Sequence, residues 1–168
     1  MKKNLTIEFF GFPGAGKTTV ATDVIKRLNH IGIKTPTISY VKNRNNRLLN
    51  HKNIIIRIFY KLSLFIKYPR VSLKALVYVL SIRPTNINSF KNIFSLLNTL
   101  YVINSLSKEQ WDVVILDQGV AQNIWSIQLS GEGYDVGKMN KILEIVAKNT
   151  KYSNVFFDAR VNTALHRI

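Results

Sequence analysis

Gly11-Phe12-Pro13-Gly14-Ala15-Gly16-Lys17-Thr18 is a complete G-x-x-x-x-G-K-[ST] pattern, and it stands in the context that gives the pattern meaning. The apolar run Leu5 to Phe10 before it predicts a buried parallel strand with one oddity, Glu8. After it, Thr18 to Asn29 predicts a helix carrying Val20, Ala21, Val24, Ile25 and Leu28 on one face, with Gly32 just past its end. In a strand–loop–helix of this kind, glycines let the backbone curl so that successive N–H groups cradle phosphate oxygens. The helix N-terminus adds its positive end. Gly11, Gly14, Ala15 and Gly16 form the cradle, and Lys17 can bridge β- and γ-phosphates. The Thr18 hydroxyl can bind Mg²⁺ and Thr19 can reach the α-phosphate. The bland alternative is a glycine-rich turn with an exposed lysine. Glu8 could face the site, but a paired buried charge is the commoner fate of a glutamate in such a strand.

A second signal is Val113-Val114-Ile115-Leu116-Asp117, an apolar strand closing on an acid. An aspartate at a strand end beside a phosphate loop can support the hydration shell of Mg²⁺. Gln118 follows it, where work-producing ATPases commonly place a glutamate to activate water, and an amide cannot act as a general base. No Asn-Lys-x-Asp guanine-reading motif occurs. Both observations argue against a motor ATPase or a GTPase. A kinase needs no such base, because positioning and charge stabilisation carry most of phosphoryl transfer.

Outward from these motifs, Thr35 to Val41 alternates β-branched residues and predicts a second strand. Three helical pieces follow: Ile54 to Lys67, Val71 to Ile82, and one defined by Phe90, Ile93, Phe94, Leu97, Leu100, Tyr101 and Asn104. Helices are predicted at Ala121 to Leu129 and Lys138 to Lys148, a buried strand at Val155 to Asp158, and a last helix from Asn162. The alternation argues an α/β fold with a parallel sheet, in a single domain over residues 1 to 168.

The net charge is +15, and residues 24 to 108 contain no acid while holding 15 of the 24 lysines and arginines. Such a field attracts anions: phosphorylated metabolites, nucleic acid or an acidic membrane. Nucleic acid is the weaker reading, since the basic residues are spaced among apolar ones and no base-stacking module is recognisable. Ile54 to Ile82 could lie on an acidic membrane. The favoured reading makes it packed helices with a cationic outer face. There is no cysteine, which excludes disulfides, thiolate metal sites and a thiol nucleophile. His30, His51 and His166 form no metal spacing, and Trp111 and Trp125 read as core. No transmembrane or signal segment is recognised, so the expected location is cytoplasmic.

Three segments together resemble the nucleoside monophosphate kinase group, thymidylate kinase-like proteins first and adenylate kinase-like ones next. They are Gly-Phe-Pro-Gly-Ala-Gly-Lys-Thr-Thr near the start, Ile-Leu-Asp-Gln-Gly in mid-chain, and Phe-Phe-Asp-Ala-Arg-Val-Asn-Thr-Ala-Leu-His-Arg-Ile at the end. The resemblance implies a three-layer P-loop NTPase fold with a parallel sheet in order 2-3-1-4, a fifth strand completing it in the group. It implies ATP and Mg²⁺ as cofactors and a small anionic acceptor bound by a basic helical segment at about 42 to 108, and it is compatible with a homodimer. Lys17 and Asp117 are the implied catalytic residues, and Thr18 and Asp117 the metal-supporting ones. Arg167 matches the arginine that opens the lid and packs near adenine. The sequence departs from the group at Gln118, where an acceptor-gripping arginine stands, and at Tyr40-Val41-Lys42-Asn43-Arg44, where an Arg-Glu-Pro-type motif is absent. The acceptor ligands are therefore open, with Arg44, Arg47, Gln118 and Gln128 as candidates. The chain ends where the lid would begin, so the resemblance implies a shortened form impaired as a catalyst. The rival readings are a nucleotide-binding protein or switch without kinase turnover, and one that contacts nucleic acid through the basic segment.

Overall fold

The computed structural model describes residues 4–49, 54–81, 88–129, 137, 140–144 and 151–157. In chain order these form β1 (Leu5–Gly11), α1 (Lys17–His30), α2 (Ile38–Leu49), α3 (Ile54–Lys67), α4 (Pro69–Ser81), α5 (Asn88–Leu106), β2 (Val113–Leu116), α6 (Val120–Leu129) and β3 (Lys151–Phe157). Residues 140–144 are also helical. The sheet is parallel, in the order β2-β1-β3. Leu5 to Glu8 pair with Val113 to Leu116, and Leu5 to Gly11 pair with Lys151 to Phe157. The central β1 thus delivers the glycine-rich loop between the ends of both neighbours.

Helices flank the sheet on both faces. Alternation along β2 sends Val114 and Leu116 into one core and Ile115 into the other. The larger core joins Leu64 of α3, Ala75 and Val79 of α4, Leu96, Leu97 and Ile103 of α5, Ile124 and Ile127 of α6, and Ile142. The smaller one packs Ala21 and Ile25 of α1 and Ile38 of α2 on Phe9 and Ile115. Among the described residues no helix is long and apolar enough to cross a membrane.

The order expected of strands 3, 1 and 4 matches β2-β1-β3, but the expected second strand is absent. Residues 33–37 are irregular, and α2 begins at Ile38. Pro36 cannot donate to a ladder. Thr37 then caps a helix: its Oγ1 accepts from Tyr40 N at 3.2 Å, and its carbonyl accepts from Val41 N at 3.2 Å. One trace of strand pairing survives, where Asp112 N donates to Lys34 O at 2.9 Å. Two smaller corrections follow. Pro69 opens α4 as its first residue, a position that wants no N–H. The strand expected to be buried at 155–158 starts at Lys151, and Ser153 to Phe156 are exposed. Asp158 and the helix expected from Asn162 lie outside the described residues.

Candidate nucleotide-binding site

The loop between β1 and α1 takes a conformation that only glycine adopts without strain. Gly14 and Gly16 have φ of 76° and 85°, in the left-handed region. Gly11 is constrained by space as well: a Cβ there would lie 2.4 Å from the Phe157 carbonyl oxygen. Ala15 N bonds back to Phe12 O at 3.3 Å, and Val20 N to Gly16 O at 3.0 Å. The N–H groups of Gly14, Gly16, Lys17, Thr18 and Thr19 have no acceptor among the described residues. Five donors without partners among the described residues, in the loop and at the helix start, are an arrangement that can receive an anion.

Lys17 is buried, and its Nζ donates to Gly11 O at 2.9 Å and Phe12 O at 2.6 Å. Burial pushes its pKa down, and the nearby Asp117 charge pulls it back up. Asp117 follows β2 and is buried. Its Oδ2 accepts from Thr18 Oγ1 at 2.9 Å. The structure therefore brings into contact the two candidate metal-supporting side chains that the sequence places 99 positions apart. Pro13 to Val20 with Asp117 and Gln118 line a cleft of about 700 Å³.

The same Oδ2 holds an ion pair absent from the sequence reading: Lys42 Nζ of α2 lies 2.7 Å from it. Lys42 could not be singled out from its neighbours by composition, because all the cations of residues 24 to 108 look alike. What selects it is the helical start at Thr37, which turns Lys42 and Arg44 to different sides of α2. Arg44 goes elsewhere: its guanidinium bonds Glu109, Ser105 and Tyr40. Trp111 Nε1 donates to Glu109 at 2.7 Å in the same cluster. Arg44 thus supports the junction of α2 and α5 and does not turn to Asp117. Gln118 is exposed at the cleft, as placed by its position after Asp117. Gln128 is buried in α6, and its Nε2 has no hydrogen-bond partner among the described residues. The Arg47 side chain and Arg167 lie outside the described residues.

Glu8 takes a structural part. It is fully buried, and its carboxylate accepts from Gly119 N at 2.9 Å, Ala121 N at 2.9 Å, Gln122 N at 2.8 Å and the Tyr152 hydroxyl. Tyr152 in turn accepts from Val120 N at 3.2 Å. The N–H groups that α6 leaves orphaned at its start are all satisfied from β1 and β3. A Cβ at Gly119 would lie 2.5 Å from the Glu8 carboxylate, so a larger residue there would displace it from these bonds. Gln122 Oε1 accepts from Gly11 N at 3.1 Å. Glu8 therefore fixes the turn that carries Asp117, and Gln122 fixes the start of the glycine loop.

No protein-family model matches the sequence, and no curated protein matches it. Among solved structures, the chain is similar to TT1252 from Thermus thermophilus at 13% sequence identity. The likeness covers 99% of this chain and 94% of that one, with a TM-score of 0.33, too low to equate the two folds.

Proposed function

We propose that the chain is a P-loop phosphotransferase of nucleoside monophosphate kinase type, binding ATP at the glycine-rich loop and passing its terminal phosphoryl group to a small anionic acceptor. The supporting observation is the row of N–H groups at Gly14, Gly16, Lys17, Thr18 and Thr19, without acceptors among the described residues, beside the Lys17 ammonium. In this reading the cradle binds the triphosphate, and Lys17 exchanges two neutral carbonyls for phosphate oxygens. Thr18 and Asp117 are hard oxygen donors in contact, a set suited to Mg²⁺. When bound, Mg²⁺ would neutralise charge on the phosphates. Positioning then falls to the loop, and Gln118 serves as a neutral cleft wall and not as a base.

Titration of the protein with ATP and Mg²⁺ by calorimetry tests this, followed by an acceptor screen with ADP release as readout. Saturable binding with acceptor-dependent ADP release is the expected result. A folded protein that binds no ATP ends the proposal.

A second reading, nucleotide binding without turnover, is favoured by one observation: Lys42 already neutralises the carboxylate that Mg²⁺ would use. Lys42→Met removes this competitor. It is expected to lower the Mg²⁺ concentration needed for ATP binding roughly fivefold, a modest effect because Lys42 is half exposed. The measurement is ATP affinity across a Mg²⁺ series. An unchanged Mg²⁺ requirement would show that the ion pair does not compete, and weaker ATP binding would make Lys42 a phosphate ligand.

A further inference from the structure

Helix α3 carries its apolar residues on the wrong side for a buried helix. Ile55, Phe59, Leu62 and Ile66 recur at steps of four, three and four, so they form one stripe. That stripe is exposed, with Phe59 at 67% and Ile66 at 81%. The opposite side, with Leu64 buried and Tyr60, Phe65 and Tyr68 packed beside it, serves the core. The next helix repeats the arrangement. On α4, Val71, Ala75 and Val79 are buried, while Leu73, Val77 and Leu80 form an exposed stripe, Leu73 at 64%. The expected cationic outer face is thus corrected: its centre is apolar. The cations lie around it. Arg70 and Lys74 are exposed on α4, and Lys74 and Lys141 border a shallow cavity of about 280 Å³ floored by Leu73 and Val77. Lys61 and Lys67 are laid over the Phe94 and Tyr101 rings.

Exposed apolar side chains rimmed by cations on consecutive helices mark an interaction surface. We infer that α3 and α4 dock on an anionic lipid bilayer surface, the apolar stripes entering the acyl boundary and the cations meeting the headgroups. Charge selects this occupant. A second copy would bring a chain of net charge +15 against another of +15. A nucleic acid would meet isoleucine, leucine and phenylalanine where its phosphates need cations. An anionic bilayer satisfies both the apolar centre and the basic rim. This surface is independent of the glycine-rich loop, so its failure and that of the kinase reading are separable.

The test is co-sedimentation of the full chain with vesicles of phosphatidylcholine alone and of phosphatidylcholine mixed with phosphatidylglycerol. Binding to the mixed vesicles at least about tenfold tighter than to the neutral ones, and weakened by salt, is expected. Phe59→Ser with Ile66→Ser should abolish it, and Arg70→Glu with Lys74→Glu should weaken it about tenfold. All four positions are exposed, so both variants should melt with the parent. Two results overturn the inference: no preference for the mixed vesicles, or a lipid-free dimer that the Phe59→Ser, Ile66→Ser pair dissociates.

Discussion

Replacement of Lys17 by alanine is expected to weaken ATP binding about 100-fold while leaving the protein folded. The two halves of that expectation have separate causes. In the protein alone, Lys17 makes two hydrogen bonds to Gly11 O and Phe12 O. Losing them is offset by removing a charge that burial disfavours. The melting transition should therefore stay within about 1 kcal/mol of the parent. With a triphosphate bound, the same ammonium would face anionic oxygens, so that attraction between opposite charges is added to its hydrogen bonds. Its lowered pKa also sets the direction of pH dependence. Phosphate binding needs the ammonium, so affinity should decline in alkaline solution before an ordinary lysine would lose its proton. Calorimetry beside thermal unfolding separates the two effects. A folded Lys17→Ala protein that binds ATP like the parent would mean that the loop does not hold phosphate.

The parts of this site that could be read in the sequence are those where local geometry dictates residue type. Gly14 and Gly16 announce a left-handed backbone, and a strand and helix around them are written in apolar spacing. The helices were legible for the same reason, since α3, α4 and α5 repeat apolar residues at helical intervals. Over Thr35 to Val41 the β-branched alternation is overridden by two local signals, Pro36 and the Thr37 cap. Apolarity likewise suggested that residues 155–158 were buried, although it cannot say whether a strand lies at the edge of a sheet. Pairings across the fold were not legible at all. Lys42 meets Asp117 only once α2 is laid beside β2, and Arg44 is drawn off by Glu109. Glu8 stood out as an acid in an apolar strand, but its partners Gly119 and Tyr152 are 111 and 144 positions away.

Glu8→Gln is expected to destabilise the fold by about 2 kcal/mol, with a characteristic pH dependence. Glu8 accepts three backbone N–H bonds at the start of α6 and one from Tyr152. An amide offers one acceptor oxygen and turns an N–H toward these donors, so at least one buried group loses its partner. Burial pushes the Glu8 carboxyl above its ordinary pKa, against the Tyr152, Gln122, Ala121 and Gly119 bonds that pull it down. Tyr152 is pushed well above its ordinary value too, by burial and by the Glu8 charge. A carboxyl raised in the folded state adds stability below its unfolded value, and that stability is lost as pH rises through the folded one. The advantage of the parent over Glu8→Gln should therefore be largest in acid, below about pH 4, and narrow toward neutrality. Urea unfolding of both proteins across this range measures it. An advantage that instead grows toward neutral pH would show that the helix start and its N–H donors outweigh burial, holding Glu8 ionised. In either case the loss should reach the site, because the turn Glu8 anchors carries Asp117. Weakened Thr18–Asp117 contact should then raise the Mg²⁺ concentration needed for the proposed ATP binding.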